Sequence, residues 1–122
     1  MPRVIHFDIA ADDPERAVAF YRQAFGWEIA KWEGPMEYWL VRTGPEGEPG
    51  IDGGIGQRSA PGEGTANTIG VESMDAALAA VEAAGGRGTF PKGYLPGVGW
   101  MSYCEDTEGN TFGLLQADAR TD

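Results

Sequence analysis

Cysteine, histidine and basic side chains are scarce in this chain of 122 residues. The single cysteine, Cys104, excludes an intrachain disulfide and a zinc site built from several thiolates. The single histidine, His6, leaves one imidazole for any chemistry that needs one. Nine Lys and Arg stand against nineteen Asp and Glu, a formal charge of −10. Such a surplus repels phosphate backbones and anionic membranes, so neither nucleic acid nor a membrane surface is an expected partner. It serves solubility first, and only weakly a field that favours cationic ligands or metal ions. No run approaches the ~18 consecutive apolar residues of a membrane span. The start, Met1-Pro2-Arg3-Val4-Ile5-His6, lacks the apolar stretch of a signal peptide and runs straight into a strand. A cytoplasmic protein is the expectation. There is no G-x-S-x-G elbow and no phosphate-binding loop, and Gly53-Gly54-Ile55-Gly56 opens no helix, so it is not a dinucleotide fingerprint.

What the chain does have, it has twice. Asp13-Pro14-Glu15-Arg16-Ala17-Val18-Ala19-Phe20 opens an amphipathic helix, with an Asp N-cap and Pro at the first helical position. Ser73-Met74-Asp75-Ala76-Ala77-Leu78-Ala79-Ala80 opens another after an offset of sixty residues. The first helix carries an apolar stripe of Ala17, Phe20, Tyr21, Ala24 and Phe25 and stops at Gly26. The second carries Met74, Ala77, Leu78, Val81 and Ala84 and ends at Gly85-Gly86. A short alternating strand precedes each helix, Val4–Ile9 and Asn67–Val71. Three strand-like segments follow each: Trp27–Trp32, Met36–Arg42 and Ile51–Gln57, then Arg87–Phe90, Trp100–Glu105 and Thr111–Gln116. Pro91–Gly99 reads as a shaped loop that could serve as a rim, and Asp106-Thr107-Glu108-Gly109-Asn110 as a turn. The expected fold class is therefore α+β, two tandem βαβββ modules with a binding site expected at the seam between them. Module one spans 3–57, a breaker-rich linker 58–65 and module two 66–117, within one domain of 1–122 and with a frayed tail.

That tandem unit, with His6 on the opening strand, Asp13-Pro14-Glu15-Arg16 at the first helix and Asp106-Thr107-Glu108-Gly109-Asn110-Thr111-Phe112 before the last strand, resembles the vicinal oxygen chelate superfamily of glyoxalase, bleomycin-resistance and dioxygenase-like proteins. The stretches Gly34–Trp39 and Gly50–Gly54 are similar to a small uncharacterised subgroup. The resemblance implies that the modules form a curved mixed sheet with a cleft, in which His and Glu side chains of the first and last strands hold a divalent metal that takes two neighbouring oxygens of a substrate. It also implies a homodimer.

Carried over residue by residue, the first ligand position falls on His6. Its counterpart in module two falls on Ala66, with Asn67 and Thr68 as weak neighbours, and the glutamate position of the last strand falls on Gly113. Asp52 is the best second ligand on offer. His6 and Asp52 are thus the candidate metal pair, and the plainer roles are a hydrogen-bonded strand histidine and a strand-end carboxylate. Trp39 and Trp100 correspond by the module offset and Tyr103 follows on the same strand, so Trp39, Trp100 and Tyr103 are the candidate ligand cleft. Cys104 reads as an inert, partly buried thiol, and Gln57 and Gln116 as surface residues closing corresponding strands. Two functions stay open. One is a small-molecule-binding protein with a degenerate metal site. The other is a divalent-metal-dependent lyase, isomerase or dioxygenase acting on vicinal oxygens. A regulatory scaffold has no positive signal.

Overall fold

The computed structural model describes residues 2–60 and 62–118. Pro61 of the expected linker and the tail at 119–122 lie outside the described residues. The architecture is α+β, with β1 Arg3–Ala11, α1 Pro14–Phe25, β2 Glu28–Lys31, β3 Tyr38–Arg42, β4 Asp52–Gln57, β5 Ala66–Gly70, α2 Met74–Ala83, β6 Arg87–Leu95, β7 Gly99–Glu105 and β8 Thr111–Ala117. The βαβββ order occurs twice, as expected. The chain divides into two compact units: His6–Ala66, and Asn67 onward together with the chain start through Ile5. The division falls inside β1. From His6 to Ala11 that strand pairs with β4, whereas Ile5 lies against Gly70 of the other unit.

In the unit His6–Ala66 the strands run β2-β3-β4-β1. β1 and β4 are parallel, and β3 is antiparallel to both β2 and β4. Helix α1 begins as read: Asp13 is extended, its carboxylate accepts from Arg16 N–H at 3.1 Å, and Gly26 closes the helix in the left-handed region at φ 71°. The apolar stripe is rotated from the expected one. Val18 is the buried residue, flanked by Ala17 and Tyr21, while Phe20 and Phe25 stand exposed. Val18 packs with Ala11, Ile29, Trp39, Val41 and Ile55 to form the core. Trp39 and Val41 of β3 and Ile55 of β4 join this core, and strand alternation then puts Tyr38, Leu40 and Arg42, and Asp52, Gly54 and Gly56, on the helix-free face.

The other unit repeats the plan with β5-β8-β7-β6, β5 and β8 parallel and the remaining pairs antiparallel. Ser73 caps α2 through Ala76 N–H, and Met74, Val71, Cys104 and Leu114 form the core. The thiol of Cys104 is wholly enclosed rather than partly buried, and burial followed by the nearby Glu82 charge pushes its pKa up. The expected loop Pro91–Gly99 is largely strand. β6 runs through Pro91 to Leu95 with register irregularities between Gly88 and Gly93, and Gly99 already pairs on β7. An edge strand tolerates a proline, because one side of its backbone needs no ladder partner. The two glutamines are not simple surface residues. Gln57 donates from Nε2 to Asp12 C=O at 3.0 Å, and Gln116 accepts at Oε1 from Met74 N–H at 2.7 Å. Each ties the end of its strand to the start of its unit's helix.

Ile55 is fully enclosed, so Ile55→Ala leaves a cavity and is expected to lower unfolding free energy by about 2–5 kcal/mol in urea titration. The turn before β8 gives a pH-dependent test. Asp106 accepts from Asn110 N–H at 2.9 Å, Glu108 N–H at 2.8 Å and the Asn110 amide at 3.1 Å. These bonds, the Asn110 backbone first, hold its pKa below the usual carboxylate value. A carboxylate lowered in the fold stabilises above its unfolded pKa, and that contribution is lost as pH falls through the folded value. Asp106→Ala is therefore expected to melt below the parent protein at neutral pH, with the gap narrowing once the pH drops under about 4.

Candidate functional site

The helix-free face of the β1–β4–β3 sheet carries a polar cluster built from three strand residues. His6 and Asp8 sit two apart on β1 and so share a face. Tyr38 opens β3 and points to the same face because Trp39, next in sequence, is turned into the core. His6 Nε2 lies 2.8 Å from Tyr38 Oη, and Tyr38 donates its hydroxyl proton to Asp8 Oδ1. His6 Nε2 and Asp8 Oδ1 are 3.6 Å apart, with the side chains 31% and 25% exposed, so the cluster is reachable from solvent. Trp32 packs its edge at Tyr38 with ring centroids 6.0 Å apart, and the Trp32 backbone N–H donates to Tyr38 C=O at 2.7 Å.

The glycines of β4 make room for these rings. A Cβ on Gly53 would collide with the Phe7 ring, and one on Gly54 with Oη and Cζ of Tyr38. The hydroxyl end of the Tyr38 ring therefore occupies the space that a side chain on Gly54 would fill. The sequence shows a glycine-rich strand open to close approach. What approaches is a side chain of the same chain.

The candidate metal pair is placed side by side but not turned to a common ion. His6 and Asp52 are register partners on the parallel strands β1 and β4. The Asp52 carboxylate, however, accepts from Thr43 N–H at 2.9 Å and Thr43 Oγ1 at 3.3 Å, holding the end of β3 against the start of β4. It borders an open hollow of about 400 Å³ lined by the loop from Thr43 to Gly50. Among the described residues, no three or more His, Cys, Asp or Glu side chains are grouped so as to hold an ion. A divalent cation takes three or more protein ligands in a durable site. The described residues do not fit one.

Of the residues expected to line an aromatic cleft, Trp39 lies in the core of its unit, and strand parity turns Trp100 and Tyr103 to opposite faces of β7. Trp39 is 8% exposed in the core, with Lys31 Nζ 5.5 Å from its ring. Trp100 pairs with Gln116 and shares the α2 side of β7 with Cys104; it is 37% exposed, with the Tyr94 ring 5.2 Å away and Lys92 Nζ 5.2 Å from its own ring. Tyr103 is an odd number of residues away and faces the opposite side. There it packs against Phe90 at 6.2 Å and opposes Gly113 in register. A Cβ at Gly113 would come 3.0 Å from Thr68 Oγ1 and 3.4 Å from Tyr103 Cε1. The place where the resemblance puts a glutamate is thus occupied by the surroundings of Thr68 and Tyr103. Asp8 and Tyr38 went unread in the sequence. The signal for Asp8 was the i, i+2 alternation with His6; for Tyr38 there was none.

With that geometry in view, the likeness to known proteins is specific. Residues 3–44 match the family described as Bleomycin resistance protein-like N-terminal. Among solved structures, a hypothetical protein from Bacillus halodurans C-125 superposes with a TM-score of 0.76 at 11% identity over 99% of this chain and 98% of that one. A single-substitution variant of the Streptomyces coelicolor methylmalonyl-CoA epimerase, in complex with 2-nitronate-propionyl-CoA, gives 0.72 at 18% over 98% and 97%. The Mycobacterium tuberculosis methylmalonyl-CoA epimerase gives 0.69 at 13% over 95% and 88%. None of the curated proteins matches by sequence. The fold is that of the glyoxalase/bleomycin-resistance proteins. The resemblance to the vicinal oxygen chelate superfamily holds, through the bleomycin-resistance-like opening segment and through this fold.

Because Tyr38 occupies the space above Gly54, Gly54→Ala is expected to expel the phenol from between His6 and Asp8. The change should appear as altered Tyr38 and His6 side-chain resonances in NMR spectra. A stability loss of about 1–3 kcal/mol should accompany it, as for other overpacked sites.

Proposed function

We propose that this glyoxalase/bleomycin-resistance-like chain binds a small organic molecule on the helix-free face of the β1–β4–β3 sheet and needs no resident metal to do so. The observation that carries the reading is the His6–Tyr38–Asp8 network: a partly open, hydrogen-bonded cluster beside the Trp32 ring. Directional polar groups next to apolar ring surface are what fix the orientation of a small ligand. Leu40, 44% exposed on the same face, adds apolar surface. In the other unit, Tyr103 with Phe90 offers a comparable aromatic surface. The acidic composition and scarce cysteine support a cytoplasmic setting, and the superfamily likeness supports a homodimer.

A second reading is a divalent-metal-dependent lyase, isomerase or dioxygenase. It is favoured by the fold shared with methylmalonyl-CoA epimerases and by the register pairing of His6 with Asp52. The orientation of the Asp52 carboxylate, engaged by Thr43, argues against it.

The two readings separate on protein purified without added metal and analysed for metal content, followed by an NMR screen of small aromatic amides and acids. We expect no stoichiometric divalent ion. We also expect screening hits that weaken about tenfold in His6→Ala, the loss of one good hydrogen bond. A stoichiometric ion stripped by the same substitution would overturn the binding reading in favour of the enzyme.

A further inference from the structure

We infer that Tyr38, seated by Gly54, is the residue that keeps a metal ion off His6. The inference rests on the metal-free reading of this face and assigns the device responsible.

Counting protons gives the first step. A phenol has one hydroxyl proton, and an ionised carboxylate only accepts. Tyr38 uses its hydroxyl hydrogen to donate a hydrogen bond to Asp8. Toward His6, 2.8 Å away, the phenol oxygen must then accept, so Nε2 carries the ring proton. A protonated ring nitrogen has no lone pair for a cation. Geometry agrees with the count. Imidazole–metal bonds run about 2.0–2.1 Å, so an ion on the Nε2 side in line with Tyr38 would fall within an ångström of the phenol oxygen. The remaining lone pair is on Nδ1, and the carboxylate nearest the ring, Asp8, sits on the Nε2 side at 3.6 Å. Asp52 is turned to Thr43.

Three features hold the phenol in place. Strand parity sends it to the helix-free face because Trp39 fills the core. The Trp32 N–H to Tyr38 C=O bond closes the β2–β3 hairpin at this residue. Gly54 leaves the space for the hydroxyl end of the ring, which any side chain would fill. Tyr38 and Gly54 act as a pair: the glycine admits the ring, and the ring takes the imidazole nitrogen an ion would need. What remains at the surface is a fixed pattern of hydrogen-bonding groups, suited to a polar organic ligand.

The single histidine makes a direct test practical, since a protein with ¹⁵N-labelled imidazole shows one ring. Zinc is titrated into the parent protein, Tyr38→Phe and Tyr38→Ala while the His6 nitrogens are followed. The parent ring is expected to hold its proton on Nε2 and to stay indifferent to zinc. Tyr38→Ala should take up zinc about tenfold more tightly, the scale set by groups that orient or block a metal ligand. Tyr38→Phe, which keeps the ring but loses the oxygen, should fall between them, and it carries the test if the alanine variant does not fold. A parent ring protonated on Nδ1 overturns the inference. So does a series in which all three proteins stay equally indifferent, which leaves the metal-free reading standing. Tight zinc uptake at the parent ring overturns both.

Discussion

The missing side chain of Gly54 is the constraint on which the candidate site depends. A strand-interior glycine costs stability through its backbone freedom and its lack of packing surface. Here that cost is offset by what the empty space admits. The hydroxyl end of the Tyr38 ring occupies it and hydrogen-bonds with both His6 and Asp8. Given an alanine at position 54, the same strands and register would leave His6 and Asp8 two apart on β1 with no phenol between them. The chemistry of this face is therefore decided by an absence in one strand as much as by the polar residues of another.

The other unit shows that the arrangement has a counterpart. Gly113 stands on its last strand beside Thr68 and Tyr103, and a Cβ there would press on both. Thr68 is almost fully buried on the opening strand, at the place that corresponds to Asp8 through the sixty-residue offset. In each unit a tyrosine lies close to a glycine of the last strand, and a polar residue of the first strand is nearby. The glutamines of the strand ends, Gln57 and Gln116, repeat as well, each anchoring the entry to its own helix. These shared devices are the physical trace of the internal repeat, more telling than the repeated helix starts, because they bind one element to another.

The local features were legible. Asp13, Pro14, Gly26 and Ser73 do what their chemistry dictates within a few residues of themselves, and the period-two runs became strands. What could not be read was phase and partner. Trp39 and Trp100 were in strands as expected, but one is buried in a core and the other stands exposed with Lys92 over its ring. A shift of one position moves a side chain to the opposite face, and aromatic bulk does not say which face is lined by a helix. Phe20 and Phe25 fit a helical stripe by spacing, yet Val18 faces the sheet, because a stripe wider than the contact leaves its edge in solvent. Pro91 signalled a break, but an edge strand has no ladder on one side to lose. The site itself was half legible: His6 from its uniqueness, not Tyr38, whose partners lie thirty and thirty-two positions away.

The loss of glutamate and second-module histidine does not by itself imply a dead site. A metal ion and a phenol offer an imidazole different things. The ion draws on the lone pair and presents open positions to oxygen ligands as a Lewis acid. The phenol accepts a hydrogen bond from the imidazole N–H, donates one to a carboxylate and so fixes the tautomer and orientation of the ring. The first arrangement demands several converging ligands and repays their dehydration only when all are present. The second needs three residues and a glycine, and its parts lie on three adjacent strands of one sheet, so the register that builds the sheet also builds the site. Discrimination would then come from matching donors and acceptors. A buried polar group left unpaired by the wrong ligand costs more than a lost apolar contact, so such a cluster can be selective without any ion.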